Sequence, residues 1–273
     1  MKTNLSSFGP VSKTLLINVC IRALESWRPD ALLRDEQAVK IVDRLGLDPN
    51  ERIKTKEPDL TFTIMRIKQF DSQARRFLER DPASTVVDIG CGLDSRLQRI
   101  DNGQVEWFGL DLPEVIALRR ELLPESQRGR LIACSVLDFS WMDALAGRPG
   151  RSILFLAEGI LPYFTESQVR SLVLALEGCF PGAELVFDAT SPFLIRLHSL
   201  NADLKETGAK LQWGPRLNTE LETWGQGIHL LGEWGYFDQP EPRLGLYNLM
   251  RFLPLLKNAS RVQWYQLGSV QPA

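Results

Sequence analysis

Four acids stand where short apolar runs end: Asp88 in VVDIG, Asp111 in VEWFGLD, Asp138 in SVLD and Glu158 in LFLAEG. If those runs are neighbouring strands, the four carboxylates converge on one crevice. The first run continues into the turn DIGCGLDS, where Gly90 and Gly92 let the backbone bend sharply and approach a ligand, since neither carries a Cβ. A dinucleotide fingerprint needs a third small residue and an unobstructed helix N-terminus for the pyrophosphate. Here Ser95 takes that place, and Asp94 would put negative charge where phosphates belong. The turn therefore suits a ligand without phosphates, and a cationic one. Asp111 follows Gly90 by about twenty residues, the spacing at which a carboxylate accepts both hydroxyls of a ribose. Asp138 is placed to reach the exocyclic amine of an adenine, and Glu158, closing a buried strand, needs a positive partner. The plain alternatives are a solvated loop acid for Asp111 and a helix cap for Asp138. Ribose, adenine and a cationic amino-acid part together describe S-adenosylmethionine.

The elements that must position these groups follow from the rest of the pattern. The chain has 273 residues, 44% of them hydrophobic, enough to bury a sizeable core. Its net charge of −2 comes from interleaved acids and bases, which argues against a nucleic-acid partner. Cys20, Cys91, Cys134 and Cys179 are widely separated, with no histidine near them to complete a metal set, so a reducing cytoplasmic location is expected. The apolar stretch TLLINVCI is too short for a membrane span and runs into Arg22 and Glu25. In residues 13–80, KTLLINVCIRALES, DEQAVKIVDRLGL and TFTIMRIKQFDSQARRFLER space apolar residues at three and four, which predicts a helical front over residues 1–80. From residue 81 to 273, short apolar runs alternate with amphipathic ones: TVVDIG, VEWFGLDL, RLIACSV, SILFLAEGI and AELVFDAT read as strands between helices. IHLLGEWGYFD and SRVQWYQLG follow as two late strands around a helix near LYNLMRFLPLLK. Such alternation predicts an α/β, doubly wound, mostly parallel sheet. Its ligand crevice lies beyond the strands' carboxyl ends, where the strand order reverses.

The motifs VVDIGCGLDSR, LDLPEV, SVLDFSW and AEGILPYF, with SKTLLINVCIRALES and LLRDEQA ahead of them, resemble the leucine carboxyl methyltransferase family. The likeness is strongest to its bacterial branch of tetracenomycin-type polyketide carboxyl O-methyltransferases, and it covers most of residues 10–190. The resemblance implies a seven-stranded class I S-adenosylmethionine-dependent fold under an N-terminal helical lid. By position it implies that Lys13 and Arg66 hold the methionine carboxylate, that Gly90 and Gly92 shape the turn, that Asp111 forms the ribose site and Leu137 and Asp138 the adenine site, that Leu112 also binds the cofactor, and that Glu158 lies at the methionine amino group. The family often has Thr where this chain has Ser95, and Asn is common at the position of Asp88. It makes the helical front a water-excluding lid; the plain alternative is a helical layer that completes the core.

A sulfonium is an activated methyl donor, so a protein that binds one must chiefly align the reactants and exclude water, and no catalytic residue is assigned. His198 and His229 stand outside every motif. Tyr163 is placed to donate to an acceptor carboxylate, and Phe164, Trp213 and Trp224 are candidates for an apolar pocket wall. The leading reading is transfer of a methyl group to the carboxylate of a small, polyketide-like or aromatic acid of secondary metabolism. The alternatives are an O-methyltransferase for a phenol or hydroxyl, a nicotinamide oxidoreductase, and a regulatory module that binds S-adenosylmethionine without transferring from it. Against the oxidoreductase stand Asp94, the missing third glycine and the lack of a Tyr-x-x-x-Lys pattern.

Overall fold

The computed structural model describes residues 10–53, 57–123, 127–146, 151–199 and 210–268. Four helices come first: α1 (Pro10–Trp27), α2 (Glu36–Leu45), the single turn α3 (Pro49–Arg52) and the long α4 (Glu57–Arg80). Their ends are written in the sequence. Asp35 caps α2 by accepting from the Ala38 N–H at 2.9 Å, and Gly46 closes it in a left-handed conformation at φ 59°.

From residue 85 the chain alternates: β1 (Thr85–Ile89), α5 (Arg96–Ile100), β2 (Glu106–Asp111), α6 (Pro113–Leu122), β3 (Gly129–Ala133), β4 (Ile153–Ala157), α7 (Glu166–Cys179), β5 (Ala183–Thr190), α8 (Pro192–Ser199), β6 (His229–Gly235) and β7 (Ser260–Leu267). The seven strands form one sheet in the order β3-β2-β1-β4-β5-β7-β6. All pairings among β1 to β5 are parallel, and β7 runs antiparallel between β5 and β6. Every residue of β1 and of β4 is buried, as strands covered on both faces require. Because β2 and β3 lie on one side of β1 and β4 on the other, the order reverses between β1 and β4, and the crevice opens beyond their carboxyl ends.

The helical front does not form a separate body. The second half of α4 places Phe70, Ala74, Phe77 and Leu78 in the same core as Val86, Leu154 and Val186 of the sheet. Helices α1 and α2 pack Leu16, Val19, Ile41 and Val42 against Leu93 of the glycine turn and against Leu118 and Leu122 of α6. The opposite sheet face carries Phe155, Phe187, Tyr265, Trp213 and Trp224. Between β6 and β7 the chain folds back over α4, where Phe62 meets Tyr236 and Phe237 edge-on at 5.6 and 5.5 Å. No described helix is long and apolar enough to cross a membrane.

Candidate active site

The turn after β1 is built around two glycines with positive φ, Gly90 at 71° and Gly92 at 45°. A Cβ on Gly90 would come within 2.6 Å of the Ile160 side chain, and one on Gly92 within 2.5 Å of Leu15, so both conformation and space select glycine. The Leu110 carbonyl accepts from the N–H groups of Gly90 and Cys91 at 2.7 and 3.1 Å, tying the turn to β2. Asp111, ending β2, accepts from the Gly92 N–H on one carboxylate oxygen and from its neighbour's, Leu112, on the other, each at 2.8 Å. Burial pushes the Asp111 carboxyl up, and these two N–H groups oppose that rise.

Beside the turn lies a chain of buried ion pairs. Arg96, at the start of α5, is 1% exposed and donates from Nε to Asp71 at 2.8 Å and from Nη2 to Glu158. Its Nη1 lies 2.9 Å from Asp94 and 3.8 Å from Asp88. Arg99, one turn on, holds Asp71 at 2.8 Å and reaches Asp35 and Asp94, each at 3.1 Å. Asp35 in turn accepts from Arg22 of α1 at 2.7 Å. At the other end Arg66 of α4 donates from Nε to Glu158 at 3.0 Å and from Nη1 to Asp188 of β5 at 3.4 Å.

Glu158 therefore meets Arg66 and Arg96 within the chain, and Asp94 is folded onto Arg96 and Arg99. Even so, among the described residues the ion pairs set six carboxylates, Asp35, Asp71, Asp88, Asp94, Glu158 and Asp188, against four guanidiniums, Arg22, Arg66, Arg96 and Arg99, with Arg119 acting on Asp88 and Asp94 without pairing to either. Asp88 registers the shortfall. Its carboxyl is pushed up to about 7, by burial first, with Asp94 and Glu158 adding to the rise against the pull of Arg96 and Arg119. A cationic ligand fits such a site.

The cavity at the crevice has a volume of about 470 Å³, within the range of small-molecule sites. Asp88, Gly90, Gly92, Asp111, Leu112, Glu158, Arg66 and Tyr163 all line it, as does Phe164. Leu137 and Asp138 are not on its wall. Asp138 is exposed and caps a short 3-10 turn by accepting from the Ser140 N–H at 3.2 Å, while Leu137 packs against the core; Ser135 and Val136 line the cavity in their place. Trp213 and Trp224 are core residues, their rings 5.8 Å apart on the opposite sheet face, and do not reach the cavity. Lys13 lies in α1, but its side chain, like that of His198, falls outside the described residues. His229 is exposed at the start of β6.

Sequence reasoning passed over Asp188. It ends the run AELVFD as the other acids end theirs, so the signal was present. Its Oδ1 accepts from the Gly159 N–H at 2.5 Å while Oδ2 holds Arg66. Asp71 and Arg99 gave no such signal, since each sits within an ordinary amphipathic helix.

A parallel sheet with this strand order, a glycine turn and an acid-rich crevice defines a class I S-adenosylmethionine-dependent methyltransferase. Solved structures agree on the fold. A putative methyltransferase from Thermobifida fusca matches at TM-score 0.56, with 15% identity over 93% of this chain and 94% of that one. A protein from Streptomyces avermitilis matches at TM-score 0.59, with 13% identity over 91% of this chain and 96% of that one. The family model for leucine carboxyl methyltransferase matches residues 16–176. The tetracenomycin polyketide synthesis O-methyltransferase TcmP of Streptomyces glaucescens is 33% identical over 93% of this chain and 96% of its own. The S-adenosyl-L-methionine-dependent methyltransferase dpfgK of Gibberella zeae is 30% identical, each chain being covered to 79%. The chain belongs to the leucine carboxyl methyltransferase family and is an S-adenosylmethionine-dependent methyltransferase.

Proposed function

We propose that the protein methylates the carboxylate of a small, largely apolar acid, polyketide-like or aromatic. When bound, S-adenosylmethionine supplies a methyl group already activated on a sulfonium. In this reading Asp111 accepts the ribose hydroxyls, Gly90 and Gly92 leave room for the backbone to approach, and Leu112 flanks the nucleoside, with Leu137 and Asp138 reaching the adenine only if their loop moves inward. Asp88 and Glu158 face the cationic amino-acid part, and Arg66, with Lys13, offers positive charge to its carboxylate. Tyr163 donates its hydroxyl to the acceptor. Helices α1 and α2 and the first half of α4 cover the crevice and exclude water, a lid role that their packing against Leu93 and Phe237 supports. The four cysteines are free thiols, in keeping with a reducing cytoplasm.

The observation that carries the acceptor class is the make-up of the cavity wall. Among the described residues it contains no histidine, and Glu158, Asp94 and Asp111 are engaged by arginines or by backbone N–H groups. An acid with a pKa of about 4 arrives ionised at neutral pH and needs orientation without a base. A phenol with a pKa of about 10 needs general-base help, typically worth about 10²- to 10⁴-fold. One feature favours the phenol reading: Asp88, titrating near 7, has the affinity of a general base. Labelled S-adenosylmethionine offered with matched aromatic acids and phenols separates the two. Acids should yield a methyl ester that releases methanol in mild alkali. A base-stable product from phenols, lost in Asp88→Asn and with no turnover of acids, would overturn the carboxylate reading.

A further inference from the structure

Arg119 of α6 is 5% exposed and lies outside the cavity wall. Its Nη1 donates to three carbonyls of the glycine turn: Cys91 at 3.3 Å, Gly92 at 2.9 Å and Asp94 at 2.6 Å. The carbonyl between them, Leu93, accepts from Arg22 at 2.7 Å. A trans peptide is a rigid plate, so the Cys91 carbonyl and the Gly92 N–H are opposite ends of one unit. Arg119 holds one end of that unit, and the Asp111 carboxylate holds the other at 2.8 Å.

Among the described residues no carboxylate forms an ion pair with Arg119, and its Nε has no hydrogen-bond partner. A buried guanidinium matched only by carbonyls is costly unless its charge serves something nearby. The acids that feel it are Asp88, Asp94 and Asp111, all on the cavity wall.

We propose that Arg119 is a positioning residue for S-adenosylmethionine: it fixes the peptide units of the glycine turn from outside the cavity and supplies the positive charge that faces Asp111. The affinity for the nucleoside then depends on a side chain that never touches it. This inference rests on the reading of Asp111 as the ribose acceptor. Asp111 is faced by Arg119 and Glu114 of α6 and by the Cys91 thiol of the turn. Burial and Glu114 push its carboxyl up, while Arg119 and the Gly92 and Leu112 N–H groups pull it down. Removing Arg119 therefore leaves Asp111 protonated at higher pH, where it no longer offers a charged acceptor.

The test is calorimetric titration with S-adenosylhomocysteine from acid to mildly alkaline pH, so that the profile covers carboxyls whose burial raises them above the ordinary range. Arg119→Met should weaken binding about tenfold or more near neutrality, the loss expected for charge-assisted hydrogen bonds. It should also move the acid limb of the affinity profile to higher pH. Arg119→Lys, which keeps the charge on a shorter arm, should lose part of the affinity and leave the limb in place. Asp88 also feels Arg119 and adds a limb of its own, so the same substitution is repeated in Asp111→Asn, where the share of the shift due to Asp111 must vanish. Wild-type affinity in Arg119→Met, or weakened affinity with an unmoved limb, overturns the proposal; the second result would make Arg119 merely structural. Should that variant not fold, Arg119→Gln keeps donors for the carbonyls without the charge and must still move the limb. If Asp111→Asn alone binds as the wild type does, the ribose assignment fails, whatever Arg119 does.

Discussion

The two ends of the cavity are held by different means. At the Asp111 end, the turn's main chain is the element that is held: Gly90 and Cys91 bond to Leu110, Gly92 and Leu112 bond to Asp111, and Arg119 and Arg22 take the turn's carbonyls from behind. At the Glu158 end, long side chains bridge the helical front and the sheet: Arg66 of α4 reaches Glu158 and Asp188, and Arg96 of α5 joins Glu158 to Asp71 of α4. The first end is preformed. At the second, Arg66 and Arg96 are already paired with acids and tie the helical front to the sheet, so under the proposed function a bound ammonium or carboxylate would compete for those partners. The helical front meets both ends of the site, through ion pairs at the Glu158 end and through Leu15, Leu16 and Arg22 against the glycine turn at the other.

The largest expected effect lies at the second end. Arg96→Met leaves Asp71, Asp94 and Glu158 without their shared guanidinium, and breaking a buried pair of this kind costs about 3–5 kcal/mol. Urea denaturation should read that loss, with the midpoint falling steeply. A loss below about 1 kcal/mol, the level of a surface ion pair, would mean that the network carries little of the fold.

Next in size is the contrast between the two acids. Asp111→Ala should weaken S-adenosylhomocysteine binding by about 1.5–3 kcal/mol with little change in melting temperature. Glu158→Gln should lower both, because it frees Arg66 and Arg96 together. Equal thermal losses for the two variants would erase the distinction between the ends. Gly92→Ala sharpens the preformed end. A non-glycine residue at φ 45° costs about 1–2 kcal/mol, and the new methyl presses on Leu15, so α1 should show faster amide exchange in this variant.

One further effect is a gain in stability and depends on pH. Asp88 titrates near 7 when folded, against about 4 when unfolded, so whatever its protonated form contributes is full below about pH 4 and is lost as pH rises through 7. Asp88→Asn should match the wild type in acid and melt higher above pH 7. Each pH unit of displacement is worth at most about 1.4 kcal/mol. A variant that melts lower than wild type at alkaline pH would show that the Asp88 charge is needed by Arg96.

Much of the fold was legible because the parallel sheet leaves a strong imprint. AELVFDAT is a strand from its first residue to its last, and the two late strands stand where IHLLGEWGYFD and SRVQWYQLG placed them. The acids at the cavity were legible for the same reason: a charge at the end of a buried run has few places to go. What could not be read was how those charges are matched. Arg99 and Asp71 look like helix-surface residues in sequence, and only the docking of α4 beside α5 buries them together. Trp213 and Trp224 misled for the opposite reason, since an aromatic after the fifth strand can face the crevice or the far side of the sheet, and here Phe187 draws them to the far side. Asp138 served as a cap because Ser140 lies two residues on, a local bond that needs no ligand.

A crystal structure with S-adenosylhomocysteine and an aromatic acid tests the account most directly. The ribose hydroxyls should lie within hydrogen-bond distance of the Asp111 carboxylate, the amino group at Glu158, and Arg66 turned toward a carboxylate, with the turn from Gly90 to Asp94 unmoved. A nucleoside bound elsewhere, with Asp111 still holding only the Gly92 and Leu112 N–H groups, would contradict it.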